Sequence, residues 1–126
     1  MTSGCGVGSV VMPTPRICYL EIPAVDPRVS ADFYASVFDW RIRERGDGAL
    51  AFDDGGEVSG AFVTGRRPQD RSGITTYVMV DDAEATVALI VAAGGTIEAP
   101  LGHSTETIAL FRDPGRNVLG IYQEPS

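Results

Sequence analysis

The sequence predicts an α+β protein built from two βαβββ halves, and three observations point there. Tyr19–Trp40 (YLEIPAVDPRVSADFYASVFDW) passes from strand-like alternation to helical periodicity at Asp26-Pro27. The same change of period recurs at Asp81-Asp82. After each helical stretch come three short β-runs, separated by turns rich in glycine, aspartate or proline.

In the first half, Arg16–Val25 is predicted as a strand. Tyr19, Glu21 and Pro23 fall on one face, and Cys18, Leu20, Ile22 and Ala24 fall on the other. The second set is apolar and is expected to sit under the helix. Val29–Phe38 is that helix, with Ala31, Tyr34 and Phe38 at three- and four-residue steps and Phe33 and Val37 beside them. Asp26 and Ser30 are candidate caps, and Pro27 just after the cap costs no intrahelical hydrogen bond. Three strands follow at Trp40–Glu44, Ala49–Phe52 and Val58–Val63, with Gly46-Asp47-Gly48 and Asp53-Asp54-Gly55-Gly56 as the turns between them. Gly65–Ser72 (GRRPQDRS) is polar and aperiodic and reads as a linker.

The second half repeats the order. Thr75–Val80 alternates as a strand, with Thr75, Tyr77 and Met79 on one face. Asp81-Asp82 enters a helix over Ala85–Ala93, in which Leu89 stands at the offset from its aspartate that Phe33 has from Asp26. Gly94-Gly95 ends it, glycine being the residue that adopts the left-handed conformation after a helix at least cost. Strands are predicted at Thr96–Ala99, Thr107–Arg112 and Asn117–Gln123, the last two joined by a four-residue turn, Asp113–Arg116. The modules are therefore 16–64 and 73–126 around the linker 65–72, and together they make one structural domain. Residues 1–15 (MTSGCGVGSVVMPTP) form a tail or an extra edge segment.

Composition narrows the functional classes. A chain of 126 residues with 44% hydrophobic content suits one compact unit with a sizeable core. Ten basic against seventeen acidic residues give a charge of −7 and a pI near 4.5, the wrong sign for a nucleic-acid surface. Such a field favours cationic ligands weakly and solubility strongly. Cys5 and Cys18 make no disulfide framework and are expected as reduced thiols. No run approaches the ~18–20 apolar residues of a membrane span, and no secretory signal pattern opens the chain, so a cytoplasmic location is expected.

Val25-Asp26, Phe33-Tyr34, Asp81-Asp82, Gly94 and Phe111-Arg112-Asp113-Pro114 followed by Asn117-Val118-Leu119 occur in this order along the two βαβββ modules. That arrangement resembles the vicinal oxygen chelate superfamily, which includes glyoxalase I, extradiol dioxygenases and bleomycin-resistance proteins. The resemblance covers Arg16 to Gln123. It implies that each module forms an open, incomplete barrel and that two modules, often across a homodimer interface, enclose a cleft. Enzymes of the family hold a divalent metal there with His, Gln or Glu from four strands. Mapped onto this chain, those positions hold Tyr19, Thr75, the ligand-free segment Ser59–Val63 and Gly120. Tyrosine, threonine and glycine are poor partners for such an ion, so no metal and no other cofactor are expected.

The resemblance further implies a cavity lined by Tyr19, Glu21, Thr75, Tyr77, Met79, Gly120 and Tyr122, with Phe62 and Phe111 as neighbours. Gly120 would leave room where family enzymes place a glutamate. Aromatic rings, hydroxyls and one acid describe a site for an organic ligand. Glu21 could act as a general base if it were desolvated, be a solvated or hydrogen-bonded cavity carboxylate, or make a subunit contact. His103, the only histidine, has no nucleophile motif around it and reads as a surface loop residue. The favoured function is a metal-independent binder of an aromatic or cationic metabolite or antibiotic, acting as a homodimer without nucleic-acid or membrane partners and with no catalytic residues. The alternatives are a lyase, isomerase or dioxygenase with an atypical site, and an interaction module with no ligand.

Overall fold

The computed structural model describes residues 14–125, so the tail expected at 1–15 lies outside the described residues up to Pro13. The first half comprises β1 (Tyr19–Pro23), α1 (Pro27–Phe38), β2 (Arg41–Glu44), β3 (Leu50–Asp53) and β4 (Ser59–Val63). The second comprises β5 (Tyr77–Met79), α2 (Ala83–Ala92), β6 (Thr96–Ala99), β7 (Thr107–Arg112) and β8 (Val118–Gln123). Each half forms a four-stranded mixed sheet, ordered β1-β4-β3-β2 and β5-β8-β7-β6. In each the entry strand runs parallel to the last one, and the remaining pairs are antiparallel. Among the described residues the two sheets are not joined by a strand ladder, and no closed barrel forms.

Local chemistry sets the helix ends. Asp26 is extended and its carboxylate accepts from the Arg28 N–H, with Pro27 in the first turn, where its missing N–H costs nothing. Ser30 does not cap; it is buried against the core, and its hydroxyl has no partner among the described residues. Asp82 caps α2 through the Ala85 N–H, and Gly94, at φ +101°, takes the left-handed position after it. The equivalence of Leu89 with Phe33 fails. Leu89 is half exposed, and Ile90, one residue on, is the buried contact.

The helices cover one face of the sheets, and a single core runs across both halves. Phe33, Tyr34 and Val37 of α1 pack with Ile22, Phe52 and Phe62 of their own sheet, and with Ile90, Phe111 and Ile121 of the other half. Trp40 stacks between Tyr34 (4.9 Å) and Phe52 (4.7 Å), and Phe33 meets Phe111 at 6.0 Å. Such aromatic pairs each add about 0.5–1.5 kcal/mol beyond their buried area.

The Asp-Pro-Gly-Arg-Asn turn fastens the halves together. The Tyr34 hydroxyl donates to Asp113 Oδ2 at 2.8 Å. Asn117 Nδ2 donates to the Pro23 carbonyl and to Asp113, while its Oδ1 accepts from the Gln69 N–H in the linker. Burial pushes the Asp113 carboxyl above the usual range, against the opposing pull of its hydrogen bonds from Asn117 and Tyr34. Burial, with the neighbouring Asp113, holds the Tyr34 phenol well above 10.0. The turn is one residue longer than the sequence predicts. Arg112 pairs with Val118, Arg116 takes the left-handed conformation at φ 76°, and Asn117 belongs to the loop.

Candidate functional site

Register decides which side chains leave the core. Paired residues on neighbouring strands point to the same face. Across the first sheet, one row on the face turned away from the helices reads Glu21, Ala61, Ala51, Arg43. The corresponding row of the second sheet reads Tyr77, Gly120, Leu110, Ala99. Leu20, Ile22, Phe52 and Phe62, and likewise Val78, Ile121 and Phe111, face the helices instead.

The open face of the first sheet is filled by its own long side chains. Arg43 binds Asp53 at 2.9 Å, and Asp53 also accepts from the Ser59 hydroxyl. Arg66 reaches from the linker to Glu21 at 2.6 Å. Arg45 pairs with Asp47 and donates to the Tyr19 hydroxyl at 3.1 Å. Tyr19 stands on β1 and Arg45 just beyond β2, at opposite edges of a four-stranded sheet that is roughly 14 Å wide. Their contact therefore straps the curled sheet from edge to edge. Beneath these side chains Ala51 and Ala61 are only 1% and 2% exposed, although neither helix of the described residues covers that side. The hydrogen bonds from Arg43 and Ser59 hold the Asp53 carboxyl below the usual carboxylate range.

The second sheet leaves its open face hollow. A cavity of about 510 Å³ is lined by Tyr77, Met79, Ser104, Glu106, Ile108 and Tyr122. Gly120 lies beneath the Tyr77 ring, next to the cavity. A Cβ at position 120 would meet ring carbons of Tyr77 at 2.4 Å. The absent side chain is thus what seats the tyrosine, and the room expected above Gly120 is taken up by that ring. Leu110, Val118 and Ala99 form a small buried cluster of the second half. The Glu106 carboxylate pairs with no cation among the described residues. Aromatic and aliphatic walls with one carboxylate and the hydroxyls of Tyr77, Tyr122 and Ser104 suit an organic molecule carrying a cationic or donor group.

The residues expected to share one cavity are spread over three places. Tyr77, Tyr122 and Gly120 meet at the hollow face, together with Met79. Tyr19 belongs to the strap on the first sheet. Glu21 is ion-paired and borders a separate cavity of about 180 Å³ near Pro23 and Asn117. Thr75 is half-buried and precedes β5. Phe62 and Phe111 are corrected to core residues, 3% and 0% exposed on the helix side. His103 is exposed in the loop after Pro100, as expected, its Nδ1 2.8 Å from the Pro100 carbonyl. Ser104, Glu106 and Ile108 were not expected at the site. Ile108 alternates with Ala109 along β7 and pairs with Tyr122, and that alternation is the signal that locates it.

Residues 16–121 match the family model of the Glyoxalase/Bleomycin resistance protein/Dioxygenase superfamily. The chain belongs to that superfamily. A "Glyoxylase-like domain-containing protein" of Didymella fabae is 26% identical over 121 residues, covering 87% of this chain and 94% of that protein. Among solved structures, TnmS3, an antibiotic binding protein from Streptomyces sp. CB03234, superposes with a TM-score of 0.71 at 19% identity, covering 91% of this chain and 100% of the other. The fosfomycin resistance protein FosX from Mesorhizobium loti gives 0.71 at 16% identity, covering 90% and 95%. At these identities the structural matches establish the fold.

Superfamily membership raises the question of a chelated metal, and the residues present do not fit one. Tyr19 is engaged by Arg45, and Gly120 offers no donor and lies under a ring. Ser59–Val63 supplies no imidazole or carboxylate. Among the described residues no group of three or more His, Cys, Asp or Glu side chains converges. An ion at this place needs three or four such ligands.

Proposed function

We propose that this superfamily member binds a small organic molecule, aromatic or cationic, without a metal and without chemistry on it, on the open face of its second sheet. The observation that carries this reading is the hollow of about 510 Å³ between Tyr77, Met79, Ile108 and Tyr122, with Glu106 at its wall in no ion pair among the described residues. The two tyrosine rings offer faces for stacking, the Met79 thioether adapts to the contour, and Glu106 compensates a positive charge. Stacking and cation–π contacts of this kind contribute roughly 0.5–2 kcal/mol each. The likeness to an antibiotic binding protein and to a fosfomycin resistance protein supports a role in holding antibiotics or comparable metabolites. The reading includes a homodimer, supported by the exposure of Ile17, Tyr19, Tyr77 and Met79. A cytoplasmic setting is part of it and is open to cell fractionation. No helix among the described residues is long and apolar enough to cross a membrane.

Native mass spectrometry of freshly purified protein tests the proposal. It is expected to show dimers with a retained organic mass that survives chelator treatment. A stoichiometric metal adduct, with the organic mass lost on chelation, would contradict it.

A further inference from the structure

Although the chain is acidic overall, half of its cations gather at one place. Gln69 clamps the linker onto the turn before β8. Its N–H donates to Asn117 Oδ1 at 2.9 Å, and its carbonyl accepts from the Val118 N–H at 2.7 Å. That clamp sets Arg66, Arg67 and Arg71 of the linker beside Arg112 and Arg116, five of the ten basic residues in the sequence. Arg112 donates to the Arg116 carbonyl at 2.9 Å. Hydrogen bonds from Ser72, and then the charges of Arg112 and Arg67, hold the Asp70 carboxyl below the usual range, so those two guanidinium groups act on one carboxylate. Arg66 is paired with Glu21 and Arg112 with Glu98. Arg67, Arg71 and Arg116 are exposed and belong to no ion pair among the described residues. Of the acids nearby, Asp70 accepts from the N–H and hydroxyl of Ser72, and Asp113 is buried under the turn.

The backbone adds a second, independent observation. Apart from the helix cap Asp39, Arg116 is the one non-glycine residue at positive φ among the described residues. Glycine takes this conformation at no steric cost, and asparagine at little. A long charged side chain there adds strain that the turn itself does not require. Strain of that kind marks a side chain kept for what it does on the surface.

We propose that the surface formed by Arg67, Arg71 and Arg116 receives a short acidic segment of a partner protein. Guanidinium forks match carboxylates two bonds at a time, and three unpaired ones on adjoining loops fit a run of aspartate and glutamate. None of the three lines either cavity described above, so the surface is open and suits a chain segment rather than an enclosed small molecule. The surrounding charge limits its length. A long polyanion such as nucleic acid would run onto the rest of a chain of charge −7 and be repelled. A segment of about six residues, roughly 20 Å when extended, stays on the patch. The inference stands apart from the small-molecule reading, because it uses no residue of the hollow on the second sheet.

The test titrates the full chain against dye-labelled acetyl-EDEDED-amide at low salt, read by fluorescence anisotropy and by amide-shift mapping. Saturable binding that weakens with added salt is expected, with shifts at Arg67, Arg71 and Arg116. Arg116→Gly should keep the thermal midpoint, because glycine accepts the left-handed position, and should bind the peptide about 2- to 5-fold more weakly. The triple variant Arg67→Gln/Arg71→Gln/Arg116→Gly should lose about 10-fold or more. No saturable response from the native protein at millimolar peptide would overturn the proposal, as would unchanged binding by the triple variant. Displacement of the peptide by an equal concentration of inorganic phosphate would show a simple anion site and overturn it. Equal binding of an oligothymidylate of the same charge would overturn it in favour of nucleic acid. Salt-sensitive self-association of the native protein that the triple variant abolishes would make a second copy the occupant and overturn it too.

Discussion

In the first sheet the row on the open face runs Glu21, Ala61, Ala51, Arg43; in the second it runs Tyr77, Gly120, Leu110, Ala99. The strand order, the parallel entry pair and the covering helix are the same in both halves. On the helix side both rows are apolar, because that side must build the shared core. On the open side, long charged residues tie themselves together over a floor of alanines in one half. In the other, a tyrosine settles on a glycine and the rest stays vacant. One backbone framework thus carries a filled face and a hollow one, and the difference lies in a few side chains at matched positions.

The sharpest way to break this comparison is to exchange core for cavity. Phe111→Ala should cost about 3–5 kcal/mol in chemical denaturation, because Phe111 faces the helices. Tyr122→Ala, on the open face, should cost far less and abolish ligand retention. A stable Phe111→Ala protein would mean that the two faces have been assigned the wrong way round.

The fastening between the halves comes next. Tyr34→Phe leaves the buried Asp113 one donor short and should cost about 1–3 kcal/mol. Because the Tyr34 phenol is raised when folded, its contribution is complete below 10.0, the ordinary phenol value, and is lost as pH rises through the folded value. Native stability should therefore fall on the alkaline side, and Tyr34→Phe should flatten that limb. Asp113, also raised by burial, contributes most below the usual aspartate value of about 3.9, and less as pH climbs through its folded value. Denaturation midpoints across pH check both signs.

Gly120→Ala sharpens the contrast between the floors. The new methyl would meet the Tyr77 ring at 2.4 Å and Leu110 at 3.1 Å, so the ring must leave its seat. A loss of about 1–3 kcal/mol is expected, together with weaker ligand retention. Thermal denaturation and ligand titration read the two effects separately.

The smallest effect belongs to the strap. Arg45→Ala removes exposed contacts to Asp47 and Tyr19 and should leave the thermal midpoint and ligand retention nearly unaltered. A large loss of retention would place the functional face on the first sheet.

Much of this architecture is legible in the sequence. The change of period at Asp26-Pro27 and its recurrence at Asp81-Asp82 give both halves. What is not legible turns on single-residue offsets. A four-residue turn after Arg112 would pair Phe111 with Val118 and bring it to the face of Gly120. The five-residue loop pairs it with Leu119 and buries it. The helix Ala83–Ala92 is apolar nearly all round, so its sequence offers no stripe to separate Leu89 from Ile90. The strap and the Glu21–Arg66 pair depend on how far the first sheet curls, and strand alternation carries no trace of that.

The most direct measurement is amide-shift mapping of the isotope-labelled protein against a set of aromatic amines, with chelator present throughout. Perturbations should gather at Tyr77, Met79, Glu106, Ile108 and Tyr122 and leave Tyr19, Ala51 and Ala61 unmoved. Shifts centred on those three residues of the first sheet, or shifts that require an added divalent ion, would contradict the account.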